Sequence, residues 1–209
     1  MSIVKLNNRG VRSASAFGSI TGLGSMVFIK KITASDGDSA ISFVDGTSDV
    51  VLDDTYKEYL FTLNNIHPED DADFFGFNMS ADTGSNYNVT KTTTMFNTTH
   101  DEGDSATALG YEAGYDLAQG TGFQRLVAGG GIGNGSDESI SGYLRLFNPS
   151  STTFVKHYIG STNAYNNYDY TMNQYFAGYG NTTSAVDAIQ FKFEGGDTDA
   201  GDICLYGIK

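Results

Sequence analysis

Residues 188–209, AIQFKFEGGDTDAGDICLYGIK, decide the fold class. Ile189, Phe191 and Phe193 alternate with Gln190, Lys192 and Glu194, so an extended chain here has one apolar face and one wetter face. A second strand-like run, 202–206, follows, and Gly195, Gly196 and Gly201 between the two supply the backbone freedom of a tight connection. The pattern predicts a terminal hairpin. Tyr59, Phe61 and Leu63 alternate in the same way with Leu60, Thr62 and Asn64, which marks a further half-buried strand.

Working outward, apolar or alternating runs broken by Gly, Asn, Asp and Ser recur from Met26 onward. Strands are expected at 26–33, 40–44, 58–63, 74–79, 89–96, 142–147, 153–159, 175–179, 188–193 and 202–206. Between 97 and 141 the pattern weakens into a Gly-rich, acidic stretch. A structureless connection of that length is rare in a compact domain, so strands are expected near 108–115 and 122–127. No window carries the spacing of an amphipathic helix. The expected architecture is all-β, an antiparallel, jelly-roll-like β-sandwich over residues 26–209. Residues 1–25 disperse Ile3, Val4, Leu6, Val11 and Phe17 among small and polar residues without a period. They read as an N-terminal attachment arm that becomes ordered on a neighbouring subunit, or as a disordered terminus.

Composition bounds the function. The 209 residues hold 26 Gly, 13 Tyr and 14 Phe but only 2 Pro and no Trp, as expected of short strands and many turns. The single Cys204, between Ile203 and Leu205, has no partner for an internal disulfide and reads as a core residue. Acidic residues number 25 against 12 Lys plus Arg, a net charge of -13 that repels phosphate backbones and anionic headgroups. Nucleic acid is therefore not an expected partner. Apolar runs fall far short of the ~18 residues that span a bilayer, so membrane insertion is not expected either. Met1 leads into polar Ser2 and Lys5 without a signal-peptide core, and synthesis in a cytoplasm is the expectation.

No catalytic set stands out. His67, His100 and His157 lack a His or Cys at ligand spacing, and no metal or cofactor is assigned. Acidic clusters such as Glu69, Asp70, Asp71 and Asp73, or Asp197, Asp199 and Asp202, match no EF-hand and read as turn supports, with a calcium role left open. The glycine run 129–135 has no following Lys-Ser or Lys-Thr and reads as a flexible loop rather than a phosphate cradle. The most distinctive segment is 158–179, YIGSTNAYNNYDYTMNQYFAGY, where tyrosines interleave with asparagines. Tyr offers flat, rigid, amphipathic area and Asn offers adaptable hydrogen bonding, a pairing suited to sugar rings and protein epitopes. Tyr165, Asn166, Asn167, Tyr168 and Tyr170 are the candidate ligand-binding residues. The plainer reading places them on a sandwich rim or in a subunit interface.

Four strings carry more than composition: SIVKLNNRGVRSASAFGSI (2–20), YKEYLFTLNNIHP (56–68), GYLRLFNPSSTTFVKH (142–157) and FKFEGGDTDAGDICLYGIK (191–209). Together they resemble small virion structural and tail-fibre-type proteins of tailed bacteriophages, particularly those of marine bacteria. The resemblance implies a β-sheet component of the virus particle and brings no catalytic or binding residues with it. The expectation is a non-enzymatic virion protein exposed on the particle exterior, of tail-fibre or receptor-binding type. Its expected partners are other virion proteins, copies of itself as a homotrimer, and host-surface glycan or protein. A capsid decoration protein is the alternative, and a host-glycan depolymerase is the alternative of another class.

Overall fold

The computed structural model describes residues 25–209, and among them there is no helix. The arm residues Ile3, Val4, Leu6, Val11 and Phe17 lie outside the described residues. Twelve strands follow in chain order: β1 (Met26–Thr33), β2 (Ile41–Val44), β3 (Glu58–Pro68), β4 (Phe75–Ser80), β5 (Lys91–Asp101), β6 (Thr107–Tyr111), β7 (Gln124–Arg125), β8 (Ile140–Phe147), β9 (Lys156–Tyr165), β10 (Tyr170–Gly180), β11 (Ala188–Phe193) and β12 (Thr198–Ile208). Each expected strand is present, including β6 and β7 in the weakly patterned stretch.

The strands form two antiparallel sheets. One has eight strands in the order β1-β12-β3-β8-β9-β10-β5-β6, the other four in the order β2-β11-β4-β7. Their apolar faces meet in a core of aromatic rings. Phe43 of β2 packs edge-on against Phe61 of β3 with centroids 5.4 Å apart, Phe61 meets Phe191 of β11 at 5.5 Å, and Phe77 of β4 meets Tyr158 of β9 at 5.0 Å. Every one of these contacts joins the small sheet to the large one, and edge-to-face geometry adds to the area they bury.

The expected terminal hairpin does not form. β11 lies between β2 and β4 in the small sheet, and β12 between β1 and β3 in the large one. A hairpin would have placed both apolar faces side by side; the crossing lets Phe191 and Leu205 look into one core from opposite sides. Asp73 holds the crossing. Its buried carboxylate accepts backbone N–H bonds from Phe74, Glu194, Gly195 and Gly196 at 2.6–3.2 Å. Four backbone donors on one carboxylate replace the water it has lost, with the Arg125 guanidinium close enough to add its field. The glycine run is also not the loose loop expected, since Gly131, Ile132 and Gly133 are buried and Ile132 bridges both Asp73 and Asn166.

Two lysines are buried. Lys91 Nζ donates to Asn78 Oδ1 at 2.5 Å and to the Val89 carbonyl at 2.8 Å. Lys156 Nζ donates to the carbonyls of Ser151 and Phe154, both at 2.7 Å. Neither ammonium meets a carboxylate. Burial pushes Lys91 down to about 7 and lowers Lys156 as well. Between about 7 and the ordinary lysine value of 10.5 the unfolded chain therefore binds more protons, and stability rises with pH across that window. Urea denaturation at pH 7 and pH 9.5 should show the gain. Lys91→Met should flatten it; an unchanged slope would mean that Lys91 does not set it.

Candidate functional site

The Tyr/Asn segment is a hairpin. β9 and β10 pair from Lys156–Gly180 through Tyr165–Thr171, and residues 166–169 make the turn. Inward positions in the second half of β9 are small, Gly160, Thr162 and Ala164, which hid the strand's continuation beyond residue 159 from a search for alternating large apolar residues. Gly160 is required there, because a Cβ would enter the Phe176 ring.

Asn166 builds the turn. It is buried, and its Oδ1 accepts the backbone N–H of Tyr168 at 3.1 Å and of Tyr170 at 3.0 Å. Asp169 takes the left-handed conformation, with φ of 60°. The Tyr168 ring then leans over Gly130, where any side chain would collide with it and with Asn167. Tyr115 Oη, donating to the Gly129 carbonyl at 2.9 Å, ties down the start of that glycine segment.

Between this turn, the glycine segment and the inner side of β5 and β6 lies an open cleft of about 760 Å³. That volume suits a small organic ligand or one to two sugar rings. Tyr168, Tyr170 and Met172 line it together with Asn97, Thr99 and Glu112. Asn97 is only 5% exposed, yet its amide makes no hydrogen bond to any described residue. Here its capacity is turned toward the cleft, as a specificity-giving polar group in an otherwise aromatic and aliphatic pocket would be.

The five sequence-predicted residues are thus divided. Asn166, Tyr168 and Tyr170 line the cleft. Tyr165 lies on the opposite side of the strand, donates to Asp169 Oδ1 at 3.1 Å, and is pushed up to about 12 by burial and by that carboxylate. Asn167 is half-buried, with its Oδ1 enclosed and unpaired beside Gly130. Sequence reasoning missed Asn97, Thr99, Glu112 and Met172. The available signal was a polar residue in an inward slot of β5, where Lys91, Thr93, Met95 and Asn97 all face the interior.

The histidines and acidic clusters have other work. His67 Nδ1 lies 2.8 Å from Asp199 Oδ1 and Nε2 lies 2.9 Å from the Gly135 carbonyl, so both ring nitrogens face acceptors. This bond pair fastens the 135–139 segment to the end of the large sheet. Asp101 accepts the N–H groups of Ser105 and Ala106, Asp82 that of Asn86 and Asp38 that of Ser35, each closing a turn. Hydrogen bonds from Ser105 and Ala106 hold Asp101 below the ordinary carboxylate range. Among the described residues no group of three or more His, Cys, Asp or Glu is arranged to hold a metal ion.

No family model, curated protein or solved structure matches this chain.

Removing the turn's acceptor should loosen the cleft wall. Asn166→Ala leaves two N–H groups unpaired and should cost about 1–3 kcal/mol of stability. Hydrogen exchange at the Tyr168 and Tyr170 amides is the specific readout: exchange as slow as in the wild type would show that Asn166 does not hold this turn.

Proposed function

We propose that this chain is a non-enzymatic structural and recognition component of a tailed phage particle, displayed on the exterior, which contacts host-surface glycan through the Tyr168–Asn97 cleft. The four sequence strings that resemble small virion proteins support the particle setting. The observation that carries the recognition role is the cleft, whose lining combines the Tyr168 and Tyr170 rings with Asn97, a residue that makes no side-chain hydrogen bond to any described residue. Sugar rings present apolar C–H faces and hydroxyl edges, and this lining offers a surface for each.

Among the described residues Glu112 is the one carboxylate that lines the cleft. Glycoside hydrolysis ordinarily uses a pair across the scissile bond, so the lining favours binding over cleavage. Self-association, as a trimer in the leading form of this reading, would present several clefts to one cell surface and gain affinity by multivalency.

Calorimetry with purified host-surface polysaccharide tests the cleft. Tyr168→Ala and Asn97→Leu should each weaken binding at least tenfold while leaving the thermal midpoint within a few degrees. Phage carrying both changes should adsorb more slowly. Unaltered affinity and adsorption in the double variant would refute the cleft as the contact.

A further inference from the structure

We propose that the outer face of the eight-stranded sheet is a second binding surface, which takes an extended, uncharged polysaccharide chain lying across the strands. It is independent of the cleft: Asn97 and Phe96 are neighbours in sequence but point to opposite sides of β5.

The register places the surface. Tyr143 of β8 pairs with Ser161 of β9, Ser161 with Tyr175 of β10, Tyr175 with Phe96 of β5, and Phe96 with Tyr111 of β6. Four aromatic residues therefore stand in one line across five strands, with a small serine between the first and second. Each is at least 40% exposed, an uncommon use of large rings on strand positions. Phe96 and Tyr175 stack with centroids 5.0 Å apart and planes 15° from parallel, so they present one broad flat platform. Tyr111 Oη donates to Asp116 Oδ2 at 2.5 Å, which fixes the ring at the sheet edge. A shallow slot of about 190 Å³ runs beside the platform, bordered by Thr94, Tyr143 and Ile159.

The row flanking this line is Ser141, Asn163, Asn173 and Thr98, and it ends on the exposed Leu109 of β6. Asn163 Nδ2 donates to Thr171 Oγ1, and Asn173 Nδ2 donates to the Thr162 carbonyl. Both amides are thereby oriented with Oδ1 free as an acceptor for hydroxyl groups. Rings in a line with hydroxyls and oriented carbonyls alongside match the two faces of a sugar chain.

Charge and area choose this occupant over others. The chain holds 25 acidic residues, yet none occupies an outward strand position on β8, β9, β10, β5 or β6. The carboxylates that reach the two ends of the line are already engaged, Asp116 by Tyr111 Oη and Glu58 by Arg145, and within a surface of net charge -13 such a face suits a neutral partner, since the surrounding field repels anions. At strand spacings of ~4.8 Å and ~6.8 Å per residue pair, the ring line with its two flanking rows covers roughly 19 Å by 14 Å. That is well below the ~800 Å² per partner of a stable protein interface. Narrow and linear, the surface fits a chain of sugar rings better than a second copy of the protein.

Affinity electrophoresis of the full chain in gels cast separately with neutral glucan, mannan and galactan, and with acidic alginate, tests the proposal. Retardation is expected in at least one neutral polymer and not in alginate. Tyr175→Ala and Phe96→Ala should each weaken it at least tenfold, Tyr175→Phe should preserve it, and the cleft variant Tyr168→Ala should leave it unchanged. Circular dichroism of each variant separates lost binding from lost folding. Absence of retardation in every neutral polymer overturns the proposal, as does retardation that Tyr168→Ala abolishes and Tyr175→Ala spares. Light scattering that shows an oligomer dissolved by Tyr175→Ala would likewise overturn it, by giving the face to a second copy.

Discussion

Contact between the two sheets through Phe43, Phe61 and Phe191 is what the rest of the molecule depends on. Each ring belongs to a strand whose alternate residues point inward, and burying one such side chain contributes about 1.5–3 kcal/mol. Phe77 of the same sheet adds its contact with Tyr158, so the small sheet is held to the large one chiefly through aromatic rings. Everything used for recognition is placed by this contact. The cleft opens at the inner side of β5 beyond the end of the core, and the aromatic line sits on the same strands facing the other way.

Buried polar groups complete the interior in a manner particular to this chain. Asp73 gathers four backbone N–H groups, and Lys91 and Lys156 each cap backbone carbonyls that no strand satisfies. Such groups are tolerated because their hydrogen bonds are made. Taking two cations out of a chain with 12 basic residues also leaves the exterior more acidic than the composition suggests.

The strands were legible because burial on a pleated sheet writes a period of two into the sequence. β1 and β11 have the boundaries that the pattern predicts, since apolar residues mark their whole length. β9 and β10 run beyond their predicted ends because their inward positions are held by Gly160, Thr162, Ala164 and Gln174, which carry no hydrophobic signal. Sheet membership was not legible at all. The same alternating pattern serves a hairpin partner and a strand across the core, and the Asp73 clamp at the crossing comes from a residue more than 120 positions away. Half of the candidate site was visible in the same way: tyrosines and asparagines cluster in sequence, whereas Asn97 and Glu112 reach the cleft through pairing over long sequence separations. The outward aromatic line was invisible for a related reason, since Tyr143, Tyr175, Phe96 and Tyr111 come from four strands and align only through register.

The position of β12 between β1 and β3 has a consequence for how the protein is made. β1 leaves the ribosome first among the described strands, and its sheet partner comes more than 160 residues later, as the pairing of Thr33 with Asp202 shows. Until then β1 is an unpaired edge and β3 lacks one neighbour, so the large sheet cannot close before β12 is made. Long-range pairing of this kind slows folding and leaves strand edges exposed to other nascent chains. Completion of the large sheet therefore waits for synthesis of β12, and a chaperone that shields the early strands would raise the yield.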